Sequence, residues 1–378
     1  MIYRSNPRYA LFSFDELNQD ERAKLGSVVA DPSFYGVLVP KAPGTLTIKL
    51  VGHETAELFR DLAIGRPLPS ECNSGAAELQ LWDLVAAEIL EVKANGTFRT
   101  GLAAMPMRKR SKPSLPQGNL MRMSLDAIAY AEALQLSSPV MISNRLYAYN
   151  RIPVGPRWRR RWTRQDIKAR IESIIQSALV PPHTWNASIL GPTWSTYTRS
   201  TLTSKSADDF GVYKLYISPK PEYFVDCLES GLNDILNLED ALGWKVCNDL
   251  SGLLRPDKFI VYFESTAPLF SLGDRLQERL DGVPSHGVPF TAELGGNGLL
   301  SWGLDPPRLS GGPGASLSES WRTWLADRIA GALWQSRQQG LRGERACEAA
   351  LLRLQTTGVD IDRWMPTEPL FGKTGPGD

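Results

Sequence analysis

The sequence predicts an α+β protein, with a mixed β-sheet domain at the C-terminus and a smaller α+β module at the N-terminus. Short β-rich runs alternate with amphipathic helical runs in the C-terminal part, and hairpin signals cluster near the N-terminus. The 378 residues are 42% hydrophobic and 22% charged, which is typical of a globular protein. A chain of this length has room for two or three domains.

The N-terminal module, residues 1–104, is predicted to resemble a winged helix. The supporting segments are a β-rich pair at 35–40 and 45–51 around a Pro-Gly turn, helical runs at 55–62 and 76–90, and two short strands within 91–100. The helical run before the last two strands has the sequence AELQLWDLVAAEIL and contains neither Lys nor Arg. It therefore lacks the basic side chains of a DNA-recognition helix. We therefore expect this module to recognise a peptide.

A helical connector is predicted over residues 120–184. It follows a basic, proline-bearing stretch at 105–119 that reads as a linker or loop, and its helical runs lie at 124–136 and 164–179. The densest charge run, RWRRRWTR at 157–164, precedes the second helix. A solvated approach to that helix, with the two tryptophans on the core, is the favoured interpretation, and a contact with phosphate or an anionic peptide is the alternative. A role in binding nucleic acid or a membrane surface is the weakest hypothesis for this run.

The remaining domain, residues 210–378, follows a stretch at 185–209 that is rich in Ser, Thr and Trp and is expected to be irregular. The domain's strands are predicted at 212–218, 243–249 and 258–264, with a further strand or an extended segment at 287–294. Its helices are predicted at 221–236, 269–280, 317–335 and 344–355. A Gly/Pro/Ser-rich segment at 306–320 is expected to be a mobile loop.

Charge and composition exclude several classes of function. A net charge of +1 argues against a general nucleic-acid binder. No apolar run approaches the roughly 20 residues that span a bilayer, and the N-terminus does not look like a signal peptide. Four dispersed cysteines and three histidines make a disulfide framework or a structural zinc site improbable. We expect a cytoplasmic protein that needs neither metal nor cofactor and binds neither nucleic acid nor membranes.

Strand alternation groups the charged side chains of the C-terminal domain. Lys214 and Tyr216 share one face of their strand, Lys245 lies between the apolar residues of the next, and Tyr262 lies opposite the apolar face of the third. Arg255 precedes that third strand. A cation among core residues costs free energy unless it has a partner, a solvated face or a function. On periodicity alone, the favoured explanation is that these lysines lie on the solvated face of a half-exposed sheet.

The strings YKLYIS, WKVCND and RPDKFIVYF resemble, in order and spacing, the phosphothreonine lyases among bacterial type III effectors. They are also similar to the Hop-type effector proteins and to the lyase components of lanthipeptide synthetases. The segments GVPFTAELGGNGLLSW and Ser-Trp-Arg at 320–322 resemble stretches of the Hop-type branch. The resemblance covers about a third of the chain.

This resemblance implies a role for each residue of the candidate site. It implies that Lys245 is the general base, that Tyr216 and Tyr262 are catalytic, and that the substrate phosphate is bound by Lys214, Arg255 and Arg322. The effector enzymes have His where this chain has Tyr216, so the usual donor of a proton to the leaving group is replaced by tyrosine. The eleven tryptophans, Trp194 among them, suit a peptide-binding cleft as well as a core.

Two functions follow from this interpretation. The first is a phosphoserine/phosphothreonine lyase that eliminates phosphate from a phosphorylated precursor peptide, in the biosynthesis of a modified, lanthipeptide-type peptide, with a separate kinase as partner. The second is a catalytically silent peptide-binding scaffold, or partner subunit of a peptide-modifying complex, that keeps the lyase sheet. The choice between these functions depends on whether four side chains converge on one open pocket. These are Lys214, Lys245, Arg255 and Tyr262.

Overall fold

The structure is a computed structural model that describes residues 1–44, 46–67, 75–94, 96–108, 118–162, 164–179, 184–190, 193–199, 212–306 and 320–367. The chain forms two compact units. The first contains Met1–Ser111 and Gln335–Thr357, and the second contains Lys112–Trp334 and Gly358–Asp378. The division into 1–104, 120–184 and 210–378 stays a prediction, and the compact units are not consecutive segments of the chain.

The first unit contains two small antiparallel sheets. One has the strand order β5-β1-β6-β7 and the other β2-β3-β4. The strands are β1 (Ile2–Ser5), β2 (Tyr9–Ser13), β3 (Gly36–Pro40), β4 (Lys49–Val51), β5 (Arg66–Pro67), β6 (Leu90–Ala94) and β7 (Thr97–Arg99). The two predicted hairpins are confirmed, since β3 pairs with β4 and β6 with β7.

The winged-helix arrangement is not confirmed. Strand β6 pairs with the N-terminal strand β1 as well as with β7, so the expected wing is part of a four-stranded sheet. The helices of this unit are α1 (Gln19–Leu25), α2 (His53–Asp61), α3 (Gly75–Ala86) and α12 (Glu344–Thr356). Helix α3 packs on β6 and α12, and Trp82 on α3 is fully buried.

The second unit is built on a seven-stranded sheet with the order β13-β14-β10-β12-β11-β9-β8, in which every pair is antiparallel. Its strands are β8 (Trp185–Leu190), β9 (Trp194–Arg199), β10 (Tyr213–Ile217), β11 (Ala241–Cys247), β12 (Phe259–Phe263), β13 (Ala292–Leu294) and β14 (Leu300–Leu304). A further short pair joins β15 (Val359–Asp360) and β16 (Met365–Pro366). The presence of helices and sheets confirms the predicted α+β class, but the prediction of a mixed sheet is wrong, because every pair in the seven-stranded sheet is antiparallel.

One face of this sheet is the core of the unit. Leu215, Val261 and Trp244 lie side by side on neighbouring strands, and all three are fully buried. Tyr197 stacks on Trp244 with ring centres 3.9 Å apart. An antiparallel sheet that covers one face with helices keeps its opposite face for polar side chains. That opposite face carries the candidate site.

Helices pack on the apolar face of the sheet. The helices of the second unit are α4 (Asn119–Ala133), α5 (Pro139–Tyr147), α6 (Pro156–Arg161), α7 (Arg164–Ala178), α8 (Phe224–Leu236), α9 (Leu250–Leu253), α10 (Thr266–Arg279) and, as far as Trp334, α11 (Trp321–Gln338). The ends of α5 and α11 reach the opposite face of the sheet. Helix α8 buries Phe224, Leu228, Leu232 and Ile235, which recur at helical spacing, and packs between α7 and α10. No helix in the described part of the chain is long and apolar enough to cross a membrane.

Two sequence predictions in this unit are wrong. The stretch predicted to be irregular contains strands β8 and β9, because its Thr, Tyr and Trp side chains suit a pleated surface. The helix predicted from residue 124 begins at Asn119, and the Ser124 hydroxyl inside it donates to the Leu120 carbonyl. The loop predicted at 306–320 lies almost wholly outside the described residues.

The buried face of the sheet is expected to carry most of the stability of the second unit. Phe259→Ala empties a fully buried ring position and should lower the free energy of unfolding by about 3–5 kcal/mol. Phe270→Ala, at a ring that is 38% exposed on α10, is the matched control and should cost far less. Urea titrations of both variants would check this, and equal losses would contradict the assignment of the core face.

Candidate functional site

The polar face of the sheet brings together side chains from five strands. In one cross-strand row Ser301, Tyr216, Ile260, Lys245 and Thr196 are neighbours on β14, β10, β12, β11 and β9. In the next row Lys214 lies opposite Tyr262. The alternation predicted from the sequence is therefore confirmed for Lys214, Tyr216, Lys245 and Tyr262.

Cations and aromatic rings alternate across this face. The Lys214 Nζ lies 5.6 Å from the centre of the Tyr262 ring, and the Lys245 Nζ lies 5.9 Å from the same ring. The row continues through Trp194, Arg255 and Tyr147 to Arg322. The distances to the ring centres are 4.7 Å for Lys245 on Trp194, 5.4 Å for Arg255 on Trp194, 5.8 Å for Arg255 on Tyr147 and 4.8 Å for Arg322 on Tyr147. We call these seven residues the cation–aromatic row.

Lys245 occupies the middle of this row. It is partly buried, and no described residue offers its Nζ a hydrogen bond or a carboxylate within ion-pair distance. Burial, followed by the charges of Lys214 and Arg255, lowers the pKa of Lys245 to about 8, while Asp257 and Asp305 oppose this shift. A substantial fraction of Lys245 is therefore neutral near pH 8 and able to accept a proton.

Asp257 holds the arginine end of the row. Its carboxylate accepts from Arg255 Nε at 2.8 Å and Nη2 at 2.9 Å, and from Arg322 Nη1 at 3.0 Å. Burial favours the neutral acid, but the two guanidinium groups outweigh it and hold the pKa of Asp257 well below its usual range. Burial likewise opposes the charge of Arg255, yet Asp257 raises the pKa of Arg255 above its usual range. Both groups remain ionised.

The two arginines differ in what they can still bind. Arg322 is 2% exposed and donates to the Pro289 carbonyl, the Tyr147 carbonyl and Asp257. Arg255 is more open, and its Nη1 has no hydrogen-bond partner among the described residues. The geometry thus suits Arg255 to an incoming anion, whereas Arg322 positions Asp257 and the end of α5.

Lys214 forms the other end of the row. It makes an ion pair with Asp305, whose carboxylate also accepts from the Trp321 amide at the start of α11. This pairing points the Lys214 ammonium towards the Tyr262 ring and ties β10 to α11. Four cations and two carboxylates then face one another, so the site carries a surplus of positive charge.

The two tyrosines predicted to be catalytic are deeply placed. Tyr216 is 2% exposed and packs on Ile260 and Val288. Burial and the charge of Asp305 raise the pKa of Tyr216, and the same two causes raise the pKa of Tyr262, both well above the usual range. Neither hydroxyl ionises readily, so both remain protonated phenols that can donate a hydrogen bond.

A second buried lysine, Lys258, lies one residue before β12. It is fully buried and donates to the Pro219 carbonyl and to His286 Nδ1, both at 2.8 Å. Because His286 Nε2 lies 2.7 Å from the Asn150 carbonyl, the proton is placed on Nε2 and Nδ1 accepts. Burial is the main cause that lowers the pKa of Lys258 to about 7 and that of His286 to about 3. The Lys258–His286 pair thus links the segments that contain Pro219, Asn150 and His286.

Three residues of the site were not predicted from the sequence: Asp257, Asp305 and Tyr147. Asp257 lies in the RPDK string, between Arg255 and Lys258. An acidic residue between two basic ones could have indicated an ion pair at the site. Asp305, the residue after β14, and Tyr147, at the end of α5, also lie at the site, and no local pattern in the sequence indicates this. No group of three or more His, Cys, Asp or Glu side chains in the described ranges is placed to hold a metal ion.

No protein-family model and no curated protein matches the chain. Among solved structures, the effector protein from Pseudomonas syringae pv. syringae strain 61 overlaps with a TM-score of 0.40 at 15% identity, over 67% of this chain and 100% of that chain. The effector protein from P. syringae pv. tomato strain DC3000 overlaps with a TM-score of 0.37 at 14% identity, over 65% and 96%. The type III effector/phosphothreonine lyase OspF from Shigella flexneri gives 0.28 at 17% identity, over 35% and 75%. Similarities with TM-scores and identities this low do not assign an activity to the chain.

The low pKa of Lys245 should be measurable as a cost in stability. An unfolded lysine titrates near 10.5 and folded Lys245 near 8, so between these values the unfolded chain binds more protons and stability rises with pH. Below pH 8 the folded protein bears the full cost of the buried charge. Lys245→Met should therefore stabilise the protein by about 1–3 kcal/mol at pH 7, and the gain should shrink towards pH 10.5.

Urea unfolding of both proteins from pH 7 to 10 would check this, with Lys220→Met at an exposed lysine as the matched control. If the gain in stability of Lys245→Met over wild type is no larger at pH 7 than at pH 10, the lowered pKa of Lys245 is contradicted.

Proposed function

We propose that the second unit is a phosphoserine/phosphothreonine lyase that removes phosphate from a phosphorylated peptide by β-elimination, leaving a dehydroamino acid. The observation that carries the proposal is Lys245: a partly buried lysine that has no carboxylate partner among the described residues and is held between other cations. Such a lysine is a base at a pH where an ordinary lysine is an acid.

The reaction needs a base and a phosphate site at a short distance from each other. Lys245 and Arg255 lie 4.7 Å and 5.4 Å from the centre of the same Trp194 ring. In this proposal, a phosphate bound by Arg255 extends past this ring far enough for the adjoining carbon atoms to approach Lys245. The base takes the α-proton, the Cα–Cβ double bond forms and the Cβ–O bond breaks. A hydroxyl of the site donates a proton to the departing oxygen; Tyr216 and Tyr262 are the donors that the family resemblance proposes.

The charge of the site matches such a substrate. A phosphate monoester carries a charge of about −1.5 to −2 at pH 7. Within the described ranges, the carboxylates that face Lys214, Lys245, Arg255 and Arg322 are those of Asp257 and Asp305, which leaves positive charge for the ligand. We assign phosphate binding to Arg255 and Lys214, and give Arg322 the supporting role of holding Asp257.

In this proposal the substrate is a ribosomally made precursor peptide of the lanthipeptide type, phosphorylated beforehand by a separate kinase in the cytoplasm. The setting rests on the resemblance of the strand strings to lyase components of lanthipeptide synthetases. We further propose that the first unit recognises the peptide. In its three-stranded sheet Phe12 and Leu50 both lie beside Val37 on one face and are 37% and 39% exposed, and β4 is an edge strand. An extended peptide can pair with such an edge.

The base assignment predicts a separation of chemistry from binding. Lys245→Ala should lower the rate of elimination by about 100-fold or more while the Kd for the phosphopeptide changes little, since the base acts on carbon. Mass spectrometry of a phosphopeptide, following the loss of phosphoric acid, gives the rate, and Lys220→Ala is the control. Equal rates in wild type and Lys245→Ala would rule out Lys245 as the base.

Arg255 is expected to act on binding. Arg255→Ala removes a charge-assisted contact worth about 1.5–3 kcal/mol, so the Kd for the phosphopeptide should rise roughly 10- to 150-fold. The unphosphorylated peptide should bind wild type and variant alike, and Arg275→Ala, at an exposed arginine on α10, should change neither value. An unchanged Kd for the phosphopeptide would remove Arg255 from the phosphate site.

The alternative function, a silent peptide-binding scaffold, is favoured by one observation. Both Lys214 and Arg255 already have carboxylate partners, as structural cations do. A scaffold predicts no elimination by the wild-type protein or by any variant, with phosphopeptide affinity alone responding to the substitutions. The same mass-spectrometric assay therefore separates the two functions.

A further inference from the structure

The hydroxyl of Tyr147 lies at the phosphate end of the cation–aromatic row. Tyr147 is the last residue of α5 and is partly buried. Its Oη accepts a hydrogen bond from Arg255 Nη2 at 3.2 Å, and its carbonyl accepts one from Arg322 Nη2 at 2.9 Å. Two guanidinium groups thus fix both the backbone and the hydroxyl of this residue.

The direction of the first bond leaves the Tyr147 proton available. A guanidinium has donors only, so the Tyr147 oxygen must accept from Arg255, and its own O–H can point elsewhere. No described residue accepts from it. A phosphate bound by Arg255 would lie beside this O–H. The positive charge of Arg255 would also compensate the negative charge that develops on the oxygen as the proton leaves.

The other two tyrosines of the site are placed less well for this step. Tyr216 is almost fully buried against Ile260 and Val288, and the Tyr262 ring is flanked by Lys214 and Lys245. No guanidinium donates to either hydroxyl in the described structure. The Tyr147 hydroxyl, in contrast, contacts Arg255, the arginine that we assign to phosphate binding.

We propose that Tyr147 is a catalytic residue, the proton donor to the leaving phosphate; this rests on the lyase function proposed above. Lys245 removes the α-proton, the electron pair forms the Cα–Cβ double bond, and the Cβ–O bond breaks towards the bridging oxygen. Tyr147 O–H protonates that oxygen, so hydrogen phosphate leaves. The protonated Lys245 and the Tyr147 phenolate then exchange a proton through solvent, which restores the site.

The proposal predicts a pH signature for Tyr147→Phe. Near pH 8 the variant should eliminate phosphate at least about 100-fold more slowly than wild type, with a Kd for the phosphopeptide within about threefold. Below the second phosphate pKa of about 6 the substrate carries its own proton, so the ratio of wild-type to variant rates should fall. Protonation of Lys245 slows both proteins alike and cancels in the ratio.

The experiment measures elimination rates of wild type, Tyr147→Phe, Tyr216→Phe and Tyr262→Phe from pH 5.5 to 8.5, roughly spanning both protonation states of the phosphate. Tyr149→Phe, whose ring packs on Tyr130 outside the row, is the matched control and should equal wild type. A Tyr147→Phe rate within threefold of wild type, or a defect of constant size at every pH, would overturn the role of Tyr147 alone. An inactive wild type would overturn the lyase function itself.

Discussion

Four like charges on one face of a sheet repel one another, and the second unit depends on how that repulsion is met. Asp257 offsets part of the charge at the arginine end through three hydrogen bonds, and Asp305 pairs with Lys214 at the other end. Aromatic rings separate the cations in between, at distances where a ring face attracts a positive charge. The result is a row in which Lys245 alone keeps no carboxylate of its own among the described residues.

The same contacts fix the loops around the site. Arg322 draws together the end of α5, the Pro289 carbonyl and Asp257, while Asp305 joins β10 to the first turn of α11. These bonds are made by buried groups that would be costly to leave unpaired. Lys245 is partly buried within these contacts, and its reduced basicity follows from that burial and from the neighbouring charges of Lys214 and Arg255.

The sequence predicted the part of the site that depends on local alternation. Lys214, Tyr216 and Tyr262 fall on one face because side chains alternate along a strand, and Lys245 joins them through the register of β11 on β12. Strands β8 and β9 were missed because Ser- and Thr-rich runs are common in loops too. Asp305 and Tyr147 could not be predicted, since their approach depends on the packing of α11 and α5 and leaves no periodic signal.

Lys245 can act as a base only if its side chain loses a proton near neutral pH, and a titration of this lysine measures that property. An NMR titration of the lysine side chains, with the Lys245 signal assigned by its loss in Lys245→Met, gives the midpoint. The account predicts a midpoint near pH 8, as burial and the neighbouring cations lower the pKa of this ammonium group. A midpoint near 10.5, the ordinary value for lysine, would contradict the account.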